Sequence, residues 1–410
     1  MSLHHSSKTV TDGLLFYYDM ANIQKSWRGA PATNLWTETN LFNWTKTAIV
    51  STFTTRTPFD TAAYVITDDN TSDWENVNRA VTIPADSSSY TMSCMVRKTT
   101  GGTSARLGFN IGFTGGTAVY FNPRFNSDTG AATSGTVIDY GDWWYWYFTG
   151  TNNGTNTTYN AAFYPATGAH NGNDDSFVTG TAIVGAFMLV SGSTAIRFAN
   201  GTRSTSQAVL DLTGRNTTTT NNLTYNNDNT FNFSGASDTS TITVPLTTSF
   251  NKLTGTIGMW VNPVSYSGSN GLFVNRADNT PNATDWFWIG SWDSGNVFYF
   301  RLGDGSTCCN NDLTISGWTA LCPTNTWTYV TFSWLSGGQS RIYTNGVLQA
   351  SRTISPIPAT NPSTTGRIGL GHAGGGCWNG KISTTQIYNR QLTDAEIFSN
   401  YNALKGRYGL

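Results

Sequence analysis

Residues able to do acid–base chemistry are scarce in this chain. Its three glutamates, Glu38, Glu75 and Glu396, lie far apart in sequence. Glu396 falls in a helix-start pattern, and Glu75 sits in the loop-like run Asp73-Trp74-Glu75-Asn76. Glycoside hydrolysis needs two carboxylates about 5–9 Å apart, so a pair here would have to be assembled from aspartates on distant loops. Gly369-Leu370-Gly371-His372-Ala373-Gly374 fits the G-x-G-x-x-G string, but a dinucleotide site requires a helix directly after it. Here the chain continues through Gly375-Gly376-Cys377-Trp378-Asn379-Gly380 into a strand-like segment, which makes this a glycine loop. His372 and Cys377, with no acid close by, are too few ligands for a metal centre.

The denser chemistry is aromatic. As a strand, Trp143-Trp144-Tyr145-Trp146-Tyr147-Phe148 puts Trp143, Tyr145 and Tyr147 on one face and Trp144, Trp146 and Phe148 on the other. One face must be core; the other is either a platform for sugar rings or a contact with a neighbouring domain or subunit. A second cluster runs from Trp286 and Trp288 to Trp292-Asp293, with Trp318 further on. Flat ring faces suit the apolar side of a sugar, and carboxylates suit its hydroxyls or a calcium ion. Filling a sandwich core is the competing role for the same tryptophans. The candidate carbohydrate-binding residues are therefore Trp286, Trp292, Asp293, Trp318, Trp143 and Tyr145. No catalytic residue is assigned, and the absence of an EF-hand-type aspartate string leaves the metal question open.

The elements that must position these rings are strands. Charged residues make up only 11% of the 410 residues, and three glutamates cannot furnish the surfaces of a helical bundle. Fifteen Trp, 18 Tyr and 22 Phe supply too much buriable surface for a disordered chain. With 23 basic against 24 acidic residues there is no electrostatic handle for nucleic acid. No apolar run reaches the roughly 18 residues of a membrane helix, and Met1 to Asp12 lacks the apolar core of a secretion signal. Expected partners thus include neither nucleic acid nor a membrane. Among the five Cys, either Cys322 bridges to Cys308 or Cys309, or the thiols are free, as suits a protein made in the cytoplasm.

Strands are expected at Asp12–Met20, Ala62–Thr67, Tyr90–Lys98, Ala105–Phe113, Ala118–Phe125, Trp143–Gly150 and Ile183–Val190, then repeatedly from Val209 onward. Asn345-Gly346 marks a type I′ hairpin. Thr393 and Glu396 form a capping box ahead of a short C-terminal helix in which Leu392 staples against Ile397. Met1 to Thr11 carry no apolar pattern, so their order is expected to depend on a partner chain.

From Val209 to the C-terminus the chain resembles the laminin-G-like, concanavalin A-like lectin/glucanase sandwich, in the form common in bacteriophage virion proteins. The resemblance rests on Gly258-Met259-Trp260-Val261, on Trp327-Thr328-Tyr329-Val330 leading to Ile342-Tyr343-Thr344-Asn345-Gly346, and on the ending Ile387-Tyr388-Asn389-Arg390-Gln391-Leu392-Thr393-Asp394-Ala395-Glu396-Ile397. The Gly13–Asp19 strand and Ser26-Trp27-Arg28-Gly29 resemble the start of the same domain, and Leu210-Asp211-Leu212-Thr213-Gly214-Arg215-Asn216 resembles its continuation. The middle resembles a carbohydrate-binding-module jelly roll, through Asn34-Leu35-Trp36, Phe42-Asn43-Trp44-Thr45, Tyr90–Lys98, Asp142-Trp143-Trp144-Tyr145 and Val184–Leu189.

These resemblances imply an all-β chain of two antiparallel β-sandwiches with one short C-terminal helix. Residues 1–33 and 203–410 would form a discontinuous concanavalin A-like jelly roll, and residues 34–202 an inserted jelly roll. They also imply a non-enzymatic virion structural protein: a tail fibre, a neck or head appendage, or a capsid decoration on the particle surface. Its expected partners are other virion proteins, further copies of itself and host-surface glycans. The glucanase branch's Glu-x-Asp-x-x-Glu pattern is absent. A glycan-active hydrolase and a purely architectural protein without a ligand are the alternatives. No cofactor is expected; calcium is implied by the resemblance alone.

Overall fold

Strands with a side-chain period of two make up nearly every element, and the central ones, such as Asn270–Asn275 and Thr328–Leu335, are buried on both faces. The computed structural model describes residues 8–20, 22, 26–99, 106–167, 178–225, 231–235, 240–246, 250, 252–266, 270–275, 287–292, 296–304, 309–358, 363–370 and 376–410. Their strand ladders are antiparallel, and the chain divides into two units: residues 1–28 with 205–410, and residues 29–204.

The first unit is a sandwich of an eight-stranded and a seven-stranded sheet. The larger runs Thr224–Tyr225, Phe231–Ser234, Asn379–Tyr388, Thr254–Pro263, Thr328–Leu335, Gln339–Thr344 and Val347–Thr353. Its eighth strand, Leu14–Asp19, pairs with Thr384–Tyr388. The smaller runs Thr219–Asn221, Thr241–Pro245, Thr365–Ile368, Asn270–Asn275, Phe287–Trp292, Val297–Leu302 and Leu313–Ser316. Ile257, Met259, Phe332 and Trp334 from one sheet meet Phe273, Phe287, Ile289 and Phe300 from the other in a single core. Asn345 and Gly346 have φ of 49° and 79°, the positive pair that a type I′ turn requires.

The N-terminal strand is fastened by side chains far along the chain. The Tyr17 amide donates to Asp211 Oδ1 at 3.0 Å, and Asn216 Nδ2 to the Leu15 carbonyl at 3.1 Å. Ahead of it, the Val10 amide donates to buried Asn400 Oδ1 at 2.7 Å, the Tyr388 hydroxyl to the Val10 carbonyl at 3.0 Å, and Ser399 Oγ to the Lys8 carbonyl at 3.2 Å. The expectation that a partner chain orders the N-terminal segment is corrected at Lys8–Val10: the chain's own last strand and helix hold it. Residues 1–7 lie outside the described residues. Cys94, Cys322 and Cys377 are buried and not disulfide-bonded, so Cys322 bridges neither Cys308 nor Cys309. Cys309 is disulfide-bonded, which corrects the alternative of free thiols throughout.

The second unit packs two six-stranded sheets. One runs Arg124–Asn126, Arg106–Thr114, Thr158–Tyr164, Val77–Thr82 and Thr45–Lys46, with Val119–Phe121 also on Arg106–Thr114. The other runs Thr136–Asp139, Trp143–Thr151, Ser89–Arg97, Gly180–Ser191, Ala63–Asp68 and Ile49–Phe53. Leu107, Phe109, Ile111, Phe113, Tyr159 and Phe163 of the first face Met92, Cys94, Val96 and Trp146 of the second. The single strand expected at Ala118–Phe125 is broken in two at Asn122-Pro123, because proline has no N–H for the ladder. Val77–Thr82 and Thr158–Tyr164 were not expected as strands; each places small or polar residues between its core positions. The unit's own ends meet where Ala32–Thr33 pairs with Thr202–Arg203. In the first unit, the chain leaves and returns where Trp27 bridges Val209 and the Arg28 amide donates to the Ala208 carbonyl at 2.9 Å.

The helix Asp394–Leu404 starts with a full capping box: the Glu396 amide donates to Thr393 Oγ1 at 3.3 Å, and Glu396 Oε2 accepts from the Thr393 amide at 2.9 Å. Arg390 grips the same carboxylate with Nη1 and Nη2 at 2.9 and 2.6 Å. That grip, more than the cap bonds, lowers the Glu396 pKa to about 2. A carboxyl depressed in the folded state stabilises it above the unfolded pKa near 4.3 and loses that contribution as pH falls through the folded value. Acid titration of wild type is therefore expected to weaken the protein between about pH 4.3 and pH 2. In Glu396→Gln this part of the pH dependence should vanish; an unchanged acid limb in denaturant melts would count against it.

Candidate functional site

The aromatic residues singled out from sequence lie deeper than a binding platform allows. Trp318 is 0% exposed and stacks on Phe298 with ring centroids 4.0 Å apart, inside the first unit's core. Trp143 and Tyr145 are 4% and 6% exposed. The Phe59 ring meets Tyr145 edge-on at 5.5 Å, and the Tyr145 hydroxyl donates to the Ile196 carbonyl at 3.1 Å. On the opposite face Trp146 stacks on Phe109 at 4.5 Å. Both faces of the aromatic strand are thus covered by the chain itself, which corrects Trp318, Trp143 and Tyr145 as sugar platforms. Trp292 ends the strand Phe287–Trp292 opposite Val297. Its side chain lies outside the described residues, as do Trp286, Asp293 and His372. Among the described residues no three His, Cys, Asp or Glu side chains gather around a possible metal position.

An open aromatic surface occurs instead on the outer face of the second unit's first sheet. Strand parity decides what it presents: with Leu107, Phe109, Ile111 and Phe113 in the core, Gly108, Asn110, Gly112 and Thr114 point out. Across the ladder Gly112 faces Asn160, Asn160 faces Ala80, and Asn110 faces Ala162, which faces Asn78. Of these, Ala80 is exposed and Asn78, Asn110 and Asn160 are half-buried, whereas Gly108, Gly112 and Ala162 lie covered, the glycines beneath Arg124 and Tyr120. Asn110 Nδ2 donates to Asn122 Oδ1 at 3.0 Å.

Rings stand at both ends of this surface. Tyr120 pairs with Gly112 and is 58% exposed. Its ring lies directly over that glycine, where an added Cβ would meet it at 2.9 Å. One side of the ring is therefore fixed against the sheet while much of its surface is open. Two rows further along, Tyr164 pairs with Gly108 and packs edge-on against Trp74 at 5.3 Å. The Arg124 guanidinium sits 5.6 Å from the Trp74 ring centre. Burial raises the Tyr164 pKa, with Asp73 adding to the rise and Arg124 opposing it. Four residues along one strand and two strands across put about 16 Å between Tyr120 and Tyr164 at their Cα atoms. Such a trough can hold an extended chain of rings, stacking at its ends and bonding hydroxyls to amides between.

Residues 234–398 match the Laminin_G_3 family model, the concanavalin A-like lectin/glucanases superfamily. That match lies wholly in the first unit. The solved structures similar to this chain include the binding domain of botulinum neurotoxin DC in complex with rat synaptotagmin II, at 19% identity and a TM-score of 0.39, covering 49% of this chain and 50% of that one. The botulinum neurotoxin serotype G binding domain is similar at 17% identity and a TM-score of 0.36, covering 48% of each chain. The binding domain of Paraclostridial Mosquitocidal Protein 1 is similar at 19% identity and a TM-score of 0.37, covering 48% of this chain and 49% of that one. The chain thus spans about half the length of the structures it matches. No curated protein sequence matches it.

Trp74, Tyr120, Tyr164 and the amides between them are not among the candidates drawn from the sequence. A signal was present: in Leu107-Gly108-Phe109-Asn110-Ile111-Gly112-Phe113 every second residue is a large hydrophobe and the others are small or amide. That pattern states a flat polar outer face. Trp318→Ala is expected to cost about 3–5 kcal/mol of stability, as a large core ring does. Tyr120→Ala should change stability by less than about 0.5 kcal/mol. Denaturant unfolding of the two variants checks this, and equal losses would place Tyr120 in the core as well.

Proposed function

We propose that this chain is a non-enzymatic, glycan-binding structural protein of a bacteriophage virion, with the trough between Tyr120 and Trp74–Tyr164 as its sugar-binding face. The observation that carries the binding reading is Tyr120: an exposed ring with one edge resting on Gly112, at the head of a surface of small residues and asparagine amides. Sugars present alternating C–H faces and hydroxyl rims, and this surface offers both complements.

The non-enzymatic part is supported by where the glutamates are used. Glu38 accepts from the Asn40 amide at 2.7 Å and from Asn43 Nδ2 at 2.8 Å. Glu75 accepts from the Asp69 amide at 3.0 Å, and Glu396 is bound to Arg390 and the helix cap. Each serves local structure. The virion assignment is supported by the resemblance of the C-terminal segment, through Ile387–Ile397, to virion domains. Other virion proteins and further copies of this chain are the partners proposed with it. Immunogold labelling of purified particles tests that assignment, and particles free of label would overturn it.

Tyr120→Ala and Trp74→Ala should each weaken binding to a recognised polysaccharide by about tenfold, the scale of one lost ring contact. Calorimetric titration of folded variants measures this. Retained affinity in both would remove the trough from consideration. Incubating wild type with the same polysaccharide should release no reducing ends; steady release would establish a hydrolase.

A further inference from the structure

The two ends of the trough differ in charge. Arg106 and Arg124 both point outward, because Leu107 and Phe125 beside them point into the core. Asn126 lies opposite Arg106 and Gly108 opposite Arg124. The two arginines are therefore diagonal neighbours on adjacent strands, about 7–8 Å apart at Cα. Arg124 is laid across Gly108, where an added Cβ would meet its Nη1 at 2.6 Å. Its guanidinium also lies beside the Trp74 ring. Arg106 is exposed, and none of the ion pairs among the described residues involves it. Among the described residues, Asp73 is the one acid whose charge is felt at neighbouring Tyr164. At the other end, Tyr120 is bordered across the ladder by uncharged Gly112 and Asn160.

We infer that the trough binds an acidic glycan, with an oxyanion of the chain at the Arg106–Arg124 corner and an uncharged ring on Tyr120. This rests on the glycan-binding reading above. Two like charges held as diagonal neighbours repel each other, and an anion between them turns that repulsion into two charge-assisted contacts. The planar guanidinium fork fits a uronic carboxylate and a phosphodiester equally, so the shared chemistry is the oxyanion.

The test uses the full chain and matched polysaccharides: uronate-bearing chains with their carboxyl-reduced forms, and phosphodiester-linked chains with neutral chains of the same sugars. The acidic member of at least one pair should bind about tenfold more tightly at low salt, with the preference shrinking as salt rises. Which pair shows it identifies the oxyanion. Arg106→Gln, at an exposed position, should reduce the preference, and Arg106→Gln with Arg124→Gln should abolish it. Tyr120→Ala should weaken acidic and neutral forms alike. Equal binding of both members of every pair, still lost in Tyr120→Ala, would overturn the acidic inference and leave the glycan-binding reading standing. Binding of neither member of any pair would overturn both.

Discussion

The ladder between Leu14–Asp19 and Thr384–Tyr388 is the constraint on which the first unit depends. It ties together segments from opposite ends of the sequence, and the Tyr18 hydroxyl reaches the Ile382 carbonyl across 364 positions. Closing so long a loop costs entropy that grows only slowly with length, but the contact forms late and slows folding. Two features reduce the burden. Asp211 and Asn216 hold the strand from within the second half of the chain, and residues 29–204 fold into a unit whose own ends pair at Ala32–Thr33 and Thr202–Arg203. Once that pairing exists, a long excursion acts as a short connection.

The same sheet physics explains why the proposed binding face is where it is. A strand with one face in the core must put every other residue outside, and what it places there decides between a packed and an open surface. On the second unit's other sheet, the outward rings Trp143 and Tyr145 are large, and the chain covers them with Phe59 and its neighbours. On the first sheet, Gly108, Gly112, Ala80 and Ala162 leave nothing large to cover, so the ring of Tyr120 is free to rest on the backbone. Burial of aromatic area favours closing the first surface; the second has little to gain from closure.

The class of fold was legible because composition and alternation state it directly. Asn345-Gly346 and the Thr393–Glu396 box were legible too, since each fixes local backbone geometry through its own chemistry. The site was not. A tryptophan's burial depends on what other strands bring to it, and nothing in Trp318 or Trp143 themselves announces Phe298 or Phe59. Thr158–Tyr164 hid because its core positions, Tyr159, Ala161 and Phe163, are interrupted by a small residue. Without that strand the sequence offered no floor on which Tyr120 and Tyr164 could be placed together.

The direction of the terminal ladder has a mechanical consequence. Leu14 faces Tyr388 at one end and Asp19 faces Thr384 at the other, so the chain enters the first strand and leaves the last at the same end of the ladder. The C-terminal tail runs back to the other end, where Arg407 pairs with Asp19 and Tyr408 with Ser383. Tension applied at Gly13 and Asn389, where the chain enters and leaves this pair of strands, would meet the hydrogen bonds singly, peeling them in turn, instead of loading them together in shear. A pull from the termini themselves would first have to break the grip of Ser399, Asn400 and Tyr388 on Lys8 and Val10, and that of Asp19 and Ser383 on Arg407 and Tyr408. A molecule hauled by its two ends would therefore open as a zipper does, at low force, whereas one held across its faces would resist.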